Sequence, residues 1–275
     1  MDQQGVSFAF VSVPANNDQT AKITILSLSI FIMPQIDGYS LALPVLAGEL
    51  FSDGVSIKCL VGTAFNIGRG YYITAGHVIQ QASEYDIVAL GVAEGGIPWR
   101  ASRVSAWEIN EEFDIAVFCS EHEISNAFPW ETAKVSNLTD IVICGYPHGL
   151  YIKEASIYRR DFKGYIITNR PYSILTGKPT VYELSIPCPR GSSGAFVLND
   201  KSGKICGIVI GSDKSEIDLN YEVEGSSEVY EKVIHHKTET STYGIAVASM
   251  ELLNLEFKIL NGSLQSFLKS NNLID

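Results

Sequence analysis

Residues 71–78, Tyr71-Tyr72-Ile73-Thr74-Ala75-Gly76-His77-Val78, form a strand-like run that ends at a single histidine after two small residues. Aromatic and β-branched side chains favour extended structure, so the run predicts a β-strand with His77 at its end. An imidazole at such a position is either a satisfied structural side chain or a base that titrates near neutral pH. Other parts of the sequence distinguish these two roles.

Short runs rich in Val, Ile, Tyr and Phe recur along the chain, bounded by Gly, Asn, Asp and Pro. Examples are VSIKCLVGTAFNI, YDIVALGVA, DIVICGYP and KICGIVIG. Helical patterns of roughly 10–15 residues do not separate these runs, which favours a sandwich or barrel over a parallel α/β sheet. The sequence therefore predicts an all-β fold.

The C-terminal stretch from Met250 to Leu268 has a different pattern, with apolar residues mostly three or four positions apart. This spacing predicts one or two amphipathic helical segments, broken near Asn261-Gly262. We expect these segments to dock on the second half of the β structure.

Two further stretches depart from the strand pattern. Residues 212–241 are rich in charged side chains with almost no apolar periodicity, and we interpret them as a long exposed loop insertion of the kind that is often functional. Residues 1–39 precede the first strongly patterned region and form an N-terminal extension.

The charge balance limits the partners that the chain can have. It has 275 residues, with 20 Lys and Arg against 31 Asp and Glu, and a formal net charge of −11. A negative field repels phosphate backbones and anionic lipid, so we expect neither nucleic acid nor a membrane surface as a partner. The apolar run from Ile23 to Met33 is also much shorter than the ~20 residues of a spanning helix.

The cysteines are widely spaced, odd in number and never form a C-x-x-C pair, which suggests neither a disulfide framework nor a zinc site. They are Cys59, Cys119, Cys144, Cys188 and Cys206. We therefore expect a reducing compartment, the cytoplasm, and no metal or cofactor.

A second segment, Glu111-Glu112-Phe113-Asp114-Ile115-Ala116-Val117-Phe118, places Asp114 directly before four apolar residues, where a strand enters the core. A carboxylate there is costly unless it is paired, so Asp114 needs an imidazole N–H or backbone amides as donors. A simple turn aspartate before a strand has the same sequence pattern.

A third segment is Pro189-Arg190-Gly191-Ser192-Ser193-Gly194-Ala195-Phe196-Val197. Gly191 and Gly194 flank Ser193 and permit a sharp turn that directs the N–H groups of Gly191 and Ser193 to a common point. A plain Gly/Ser turn between strands looks similar when it is considered alone.

Taken together, the three segments occur in the order His, Asp, Ser, and the sequence resembles the chymotrypsin/trypsin-like serine proteases. The resemblance is closest to the disulfide-free bacterial members of the high-temperature-requirement type. T-A-G-H-V, F-D-I-A-V and G-S-S-G-A resemble their histidine, aspartate and nucleophile motifs. The resemblance spans about Gly62 to Ala248, and it implies two six-stranded antiparallel β-barrels with a C-terminal helix.

The resemblance also implies a role for each residue. His77 would be the general base, Asp114 would orient its imidazole, and Ser193 would be the nucleophile. The N–H groups of Gly191 and Ser193 would form the oxyanion hole. Ser192 occupies the position where digestive enzymes have an aspartate that receives a new N-terminus, so we do not expect zymogen cleavage of that kind.

The pocket for the side chain before the scissile bond is implied by the same resemblance. Its walls would be Pro187, the stretch Val209-Ile210-Gly211 and the strand Tyr243-Gly244-Ile245. Pro187 carries no charge to pair with Lys or Arg, so we expect a small or medium apolar residue instead.

These inferences predict a serine endopeptidase that binds a protein or peptide substrate in the cleft between two barrels. A protease inside a cell needs regulation, which predicts a narrow processing or defence role and a regulatory protein partner. A peptide-binding pseudoprotease is an alternative, and an α/β-hydrolase esterase is disfavoured because its chain order is Ser, acid, His. The predicted parts are a first barrel at residues 40–130, a second at 131–248 and a C-terminal helix at 249–275.

Overall fold

The computed structural model describes residues 41–51, 54–92, 100–124, 126–147, 157–223 and 233–274. The predicted N-terminal extension at residues 1–39 lies outside the described residues. The described chain folds into two closed antiparallel β-barrels, with short helices at the first barrel and at the C-terminus.

The first barrel closes on itself in the strand order β1-β2-β3-β6-β5-β4. Its strands are β1 (Ala42–Phe51), β2 (Gly54–Gly68), β3 (Tyr71–Ala75), β4 (Ile87–Val92), β5 (Arg100–Asn110) and β6 (Ile115–Ser120). A short helix, α1 (Gly76–Ala82), follows β3 directly. The strand predicted at residues 71–78 therefore ends before His77, which lies in the first turn of α1.

The second barrel has the strand order β10-β11-β12-β9-β8-β7. Its strands are β7 (Asp140–Gly145), β8 (Arg160–Pro171), β9 (Thr180–Leu184), β10 (Phe196–Asn199), β11 (Lys204–Val223) and β12 (Val233–Ala248). The prediction of two six-stranded antiparallel barrels is confirmed. An α/β-hydrolase would need a parallel sheet, so this architecture contradicts the esterase alternative.

Aromatic side chains pack where the two barrels meet. Phe65 in β2 contacts Phe196 in β10, with their ring centroids 5.5 Å apart in an edge-to-face arrangement. Trp130, in the segment that connects the barrels, lies 6.0 Å from the Phe65 ring. All three side chains are almost completely buried, and such contacts stabilise a fixed arrangement of the barrels.

Strands β11 and β12 continue beyond the barrel as a two-stranded ribbon, whose last described pair is Val223↔Val233. Our interpretation of residues 212–241 as a loop is therefore wrong for 212–223 and 233–241, which are strands; residues 224–232 lie outside the described ranges. The sequence did contain a strand signal, because apolar residues alternate at Ile217, Leu219 and Tyr221. The charged residues between them obscured this period of two.

The C-terminal stretch is only partly helical. It contains α2 (Ser249–Leu252), β13 (Glu256–Phe257), a 3₁₀ helix (Lys258–Leu260), β14 (Gly262–Ser263) and α3 (Leu264–Ser270). The predicted break is confirmed at Asn261, where the left-handed φ of 58° stops the 3₁₀ helix. No helix in the described ranges is long and apolar enough to cross a membrane.

Helix α3 docks on the first barrel, so the expected docking on the second half is wrong for this helix. It is confirmed for α2, whose Met250 packs against the core of the second barrel. The ring of Phe267 lies 5.2 Å from that of Tyr71 in β3. Arg69, in the turn before β3, donates through Nη2 to the carbonyl of Ser270 at 3.0 Å. An amphipathic pattern shows that a helix has an apolar face but does not specify which barrel covers it.

Candidate active site

His77 is positioned at the junction of β3 and α1 by a close approach to the β5–β6 turn. The N–H of Gly76 donates to the carbonyl of Asp114 at 2.8 Å. A Cβ at Gly76 would lie 2.9 Å from Asp114 Oδ1. The glycine before His77 therefore lets the Asp114 carboxylate reach the histidine.

The carboxylate of Asp114 contacts both the backbone and the ring of His77. Oδ1 accepts the His77 N–H at 2.8 Å, and Oδ2 lies 2.7 Å from Nδ1. A carboxylate can only accept, so Nδ1 carries the proton and Nε2 is left as an acceptor. The side chain of His77 is 33% exposed and that of Asp114 is 20% exposed, so the pair is only partly shielded from solvent.

Ser193 lies on a turn between two glycines with positive φ, 93° at Gly191 and 85° at Gly194. A Cβ at Gly194 would lie 2.0 Å from both the Thr63 carbonyl and Thr74 Oγ1, so no other residue fits there. The N–H groups of Gly191 and Ser193 make no hydrogen bond within the described part of the chain. Both amides are therefore available to an oxyanion.

The serine turn and the histidine helix meet at Gly62 in β2. A Cβ at this position would lie 2.5 Å from Val78 Cγ2 and 2.9 Å from the Ser193 carbonyl. The residue after His77 and the backbone of Ser193 thus both pack closely against one glycine. Within the described residues, the hydrogen bonds of His77 go to Asp114 and none joins its ring to Ser193 Oγ. Catalytic hydrogen bonds are often long in the absence of substrate and tighten when it binds.

The two walls expected to enclose the specificity pocket contact each other directly. Ser212 Oγ donates to the carbonyl of Cys188 at 2.8 Å and accepts its N–H at 3.1 Å. Beside this bridge, Cys188 Sγ would lie only 2.5 Å from a Cβ at Gly244. The thiol is 8% exposed, and burial raises its pKa to about 12.

The predicted pocket residues have different positions. Pro187 is exposed, and Gly211 has open space where a Cβ would be. Ile210 is 9% exposed and packs with the core, and Val209 is fully buried in the core of the second barrel. The Val209 side chain therefore does not line a pocket. Its carbonyl instead accepts the Gly194 N–H at 2.7 Å and holds the serine turn.

The sequence of residues 62–208 matches the trypsin-like peptidase domain, and this match covers more than half of the chain. The chain belongs to this family. This trypsin-like peptidase is therefore a serine protease, as the resemblance of its sequence motifs implied. No curated protein matches its sequence significantly.

Three solved structures that are similar to the peptidase are distant from it in sequence. The protease domain of MamO from Magnetospirillum magneticum is 15% identical, with a TM-score of 0.51 over 77% of this chain and 93% of that one. The active form of the Rv3671c protease from M. tuberculosis is 16% identical, with a TM-score of 0.50 over 88% and 91%. An HtrA-type protease, AlgW with a tripeptide, is 14% identical, with a TM-score of 0.48 over 77% and 57%. The first two similarities support the fold.

A polar cluster that sequence reasoning missed lies at the base of the ribbon in this peptidase. Asp213 in β11 accepts from Arg170 Nη2 at 2.7 Å and from the Tyr172 hydroxyl at 3.1 Å. Arg170 also donates through Nε to Glu183. Burial, and then the charge of Asp213, raise the pKa of Tyr172 to about 12, and the charge of Asp114 adds to this effect.

The turn that follows Tyr172 also contacts the loop that carries Asp114. The N–H of Gly177 donates to the carbonyl of Glu112 at 3.1 Å, and a Cβ at Gly177 would lie 2.7 Å from the Phe113 ring. Within the described ranges, no group of His, Cys, Asp and Glu side chains is arranged to hold a metal ion. The site therefore consists of the triad candidates, the serine turn and this neighbouring cluster.

Proposed function

We propose that the chain is a serine endopeptidase that hydrolyses protein substrates through His77, Asp114 and Ser193. The observation that carries the proposal is the double contact of Asp114 with His77. It selects the tautomer in which Nε2 accepts a proton, and the Ser193 carbonyl and the Val78 side chain both lie close to Gly62.

In the proposed reaction, His77 Nε2 takes the proton of Ser193 Oγ while Oγ forms a bond to the substrate carbonyl carbon. Asp114 stabilises the imidazolium, and the N–H groups of Gly191 and Ser193 donate to the oxyanion. The imidazolium then protonates the leaving amine as the C–N bond breaks. Water hydrolyses the acyl-enzyme by the same two proton transfers.

The proposed preference is for a small apolar residue before the scissile bond. A side chain between two walls needs carbon–carbon separations of about 3.5–4.0 Å on each side. The Ser212 hydroxyl already spans the walls with contacts of 2.8 and 3.1 Å to Cys188. A Gly or Ala residue fits above this bridge, whereas Leu, Phe, Lys or Arg would have to displace it.

We also propose that the ribbon of β11 and β12 regulates access to the cleft. Asp213 at its base directly follows Ser212 and is tied to Arg170 and Tyr172. A partner that moves the ribbon would therefore pull on the pocket wall and on the turn that contacts the Asp114 loop. This arrangement supports a regulated processing or defence role with a regulatory protein partner.

The compartment proposed for this activity is the cytoplasm, with a protein or peptide as substrate and neither nucleic acid nor membrane as partner. All five cysteines are free thiols, and Cys59 and Cys119 are only half-buried. Such thiols persist in a reducing compartment. Thiol trapping in freshly lysed cells would test this, and oxidised Cys59 and Cys119 would contradict it.

The function itself is tested with a fluorophosphonate probe on the purified chain. We expect the probe to label Ser193 in the wild type and to leave Ser193→Ala unlabelled. We also expect the wild type to hydrolyse peptide esters before labelling and to lose this activity once it is labelled. Ser192→Ala is a matched control, because the neighbouring Ser192 hydroxyl is buried and has no hydrogen-bond partner in the described part of the chain. It should label like the wild type.

A peptide-binding pseudoprotease is the second candidate, because no hydrogen bond joins Ser193 Oγ to His77 among the described residues and the Ser212 bridge narrows the pocket. A folded wild type that binds peptides but neither reacts with the probe nor hydrolyses esters would establish it.

A further inference from the structure

Thr63 in β2 of the first barrel is completely buried and makes hydrogen bonds through its N–H, its hydroxyl and its carbonyl group. Its N–H donates to the Ser193 carbonyl at 2.8 Å, and its hydroxyl donates to the Gly191 carbonyl at 2.8 Å. The same hydroxyl accepts the N–H of Tyr146 at 3.0 Å, and the Thr63 carbonyl accepts from Thr74 Oγ1 at 2.6 Å. One threonine of the first barrel thus holds the serine turn of the second.

The direction of each hydroxyl bond follows from the chemistry of its partners. The Gly191 carbonyl can only accept, and the Tyr146 N–H can only donate. The Thr63 hydroxyl therefore donates its proton to the Gly191 carbonyl and accepts the Tyr146 N–H with a lone pair. A valine in its place would remove both the donor to the Gly191 carbonyl and the acceptor of the Tyr146 N–H.

The bonds of Thr63 fix peptide groups next to the two free amides. The peptide between Gly191 and Ser192 is held at its carbonyl by the Thr63 hydroxyl and at its N–H by the Pro189 carbonyl, at 3.0 Å. The peptide between Ser193 and Gly194 is held by the Thr63 N–H on one side and by Val209 on the other.

Gly191 is the residue whose orientation depends on these hydrogen bonds. It has a φ of 93° and no side chain, so a rotation of its peptide groups is resisted by the hydrogen bonds of Thr63 and of the Pro189 carbonyl and not by a side chain. Such a rotation would turn the Gly191 N–H away from the point that it shares with the Ser193 N–H.

We propose that Thr63 is a positioning residue of the oxyanion hole, whose hydroxyl holds the Gly191 peptide in the orientation that directs the two amides to the reacting carbonyl. The proposal rests on the proposed peptidase function. It makes the first barrel responsible for the geometry of the hole, in addition to holding His77 and Asp114.

The test compares Thr63→Val with Thr63→Ser by kcat per active site, titrated with the fluorophosphonate probe. Loss of one oxyanion donor costs about 10²–10³ in kcat, so a misdirected donor should cost roughly 10- to 100-fold in Thr63→Val. KM should change little, and affinity for a peptide aldehyde should fall in parallel with kcat/KM. Thr63→Ser keeps the hydroxyl and should restore kcat.

Ser102→Ala is the control for the loss of a buried hydroxyl elsewhere, because Ser102 bonds Ser120 at 2.8 Å in the first barrel. It should alter stability but not kcat per titrated site. If Thr63→Val does not fold, Thr63→Cys is compared with Thr63→Ser, since a thiol is a weak donor, and a several-fold lower kcat is expected.

Unchanged kcat per site in folded Thr63→Val, equal kcat in the Cys and Ser variants, or failure of Ser to restore kcat would overturn the proposal. Failure of the peptidase function is distinguishable, because the wild type itself would then not react.

Discussion

The carboxylate of Asp114 holds His77 at two points, with Oδ1 on the backbone N–H at 2.8 Å and Oδ2 2.7 Å from ring Nδ1. Each oxygen has a different task. Oδ1 fixes the position of the residue at the start of α1, and Oδ2 fixes the tautomer and the plane of the ring. Both tasks need an acceptor, which an amide provides at only one of its two atoms.

Asp114→Asn is therefore expected to abolish most activity while leaving the fold intact. The amide oxygen will stay on the His77 N–H, which puts the NH₂ group opposite Nδ1. The imidazole then has to place its proton on Nε2, where it can no longer accept from Ser193, and kcat should fall roughly 10⁴-fold. Steady-state kinetics on a peptide ester, with circular dichroism as the folding control, measure this.

His77→Ala and Ser193→Ala should lose activity to a similar extent, because the three residues act as a unit. Near wild-type cleavage by purified Ser193→Ala would show that the nucleophile is a different residue.

Gly194→Ala is expected to destabilise the protein and to inactivate it. The left-handed backbone at Gly194 costs an L-residue about 1–2 kcal/mol, and the new methyl group would also lie 2.0 Å from the Thr63 carbonyl and Thr74 Oγ1. Gly203→Ala is the matched control, because Gly203 has a φ of 67° but nothing within 4 Å of a Cβ. Urea unfolding should show a clearly larger loss for Gly194→Ala, and equal losses would contradict the steric argument.

How much of the site could be predicted depended on how local its signals were. His77, Asp114 and Ser193 each lie within a short motif, so their letters were enough to indicate their roles. The contact between Thr63 and Gly191 joins residues 128 positions apart, and no periodicity in one sequence encodes it. The bridge from Ser212 to Cys188 is missed for the same reason, because it depends on how closely two walls pack.

Ser212→Gly is expected to shift the preference toward larger residues before the scissile bond. The change removes the hydroxyl bridge to Cys188 and opens space between the walls, whereas Ser212→Ala removes the bridge and keeps the Cβ. Hydrolysis of peptides with Ala, Val, Leu, Phe or Lys at that position measures the order of preference. The wild type should prefer Ala over Leu, and a dominant preference for Lys or Arg would contradict the proposed pocket.

The thiol of Cys188 should resist alkylation at neutral pH. Burial raises its pKa to about 12, so only about 10⁻⁴ of it is thiolate at pH 8. Its reaction with iodoacetamide should accelerate about tenfold for each pH unit up to that pKa, well above the point where an ordinary thiol levels off. Mass spectrometry after timed labelling measures this, with half-buried Cys119 labelled first.

Cys206 serves as the control for pocket opening, because burial raises its pKa to about 12 as well but it is fully buried and its thiol donates to the Val197 carbonyl instead of lying beside the Ser212 bridge. Ser212→Gly should speed labelling of Cys188 and leave Cys206 unchanged. Equal acceleration of both thiols would indicate general loosening of the barrel instead.

Shortening the ribbon should change kcat/KM, because its base is joined to the pocket wall. Lys214 and Thr242 are directly paired, so residues 215–241 can be replaced by Asn-Gly, which forms the two-residue turn that suits an antiparallel pair. Asp213 and its bonds to Arg170 and Tyr172 remain in this variant. An increase of about tenfold, or 1.4 kcal/mol, on a small peptide ester indicates an autoinhibitory lid, and a decrease indicates that the ribbon completes the pocket.

Asp213→Asn weakens the base while keeping the ribbon, and it should shift kcat/KM in the same direction if the effect passes through Arg170 and Tyr172. Unchanged values for both a small ester and a protein substrate would exclude gating, because a ribbon that controls access to the cleft has to alter at least one of these reactions.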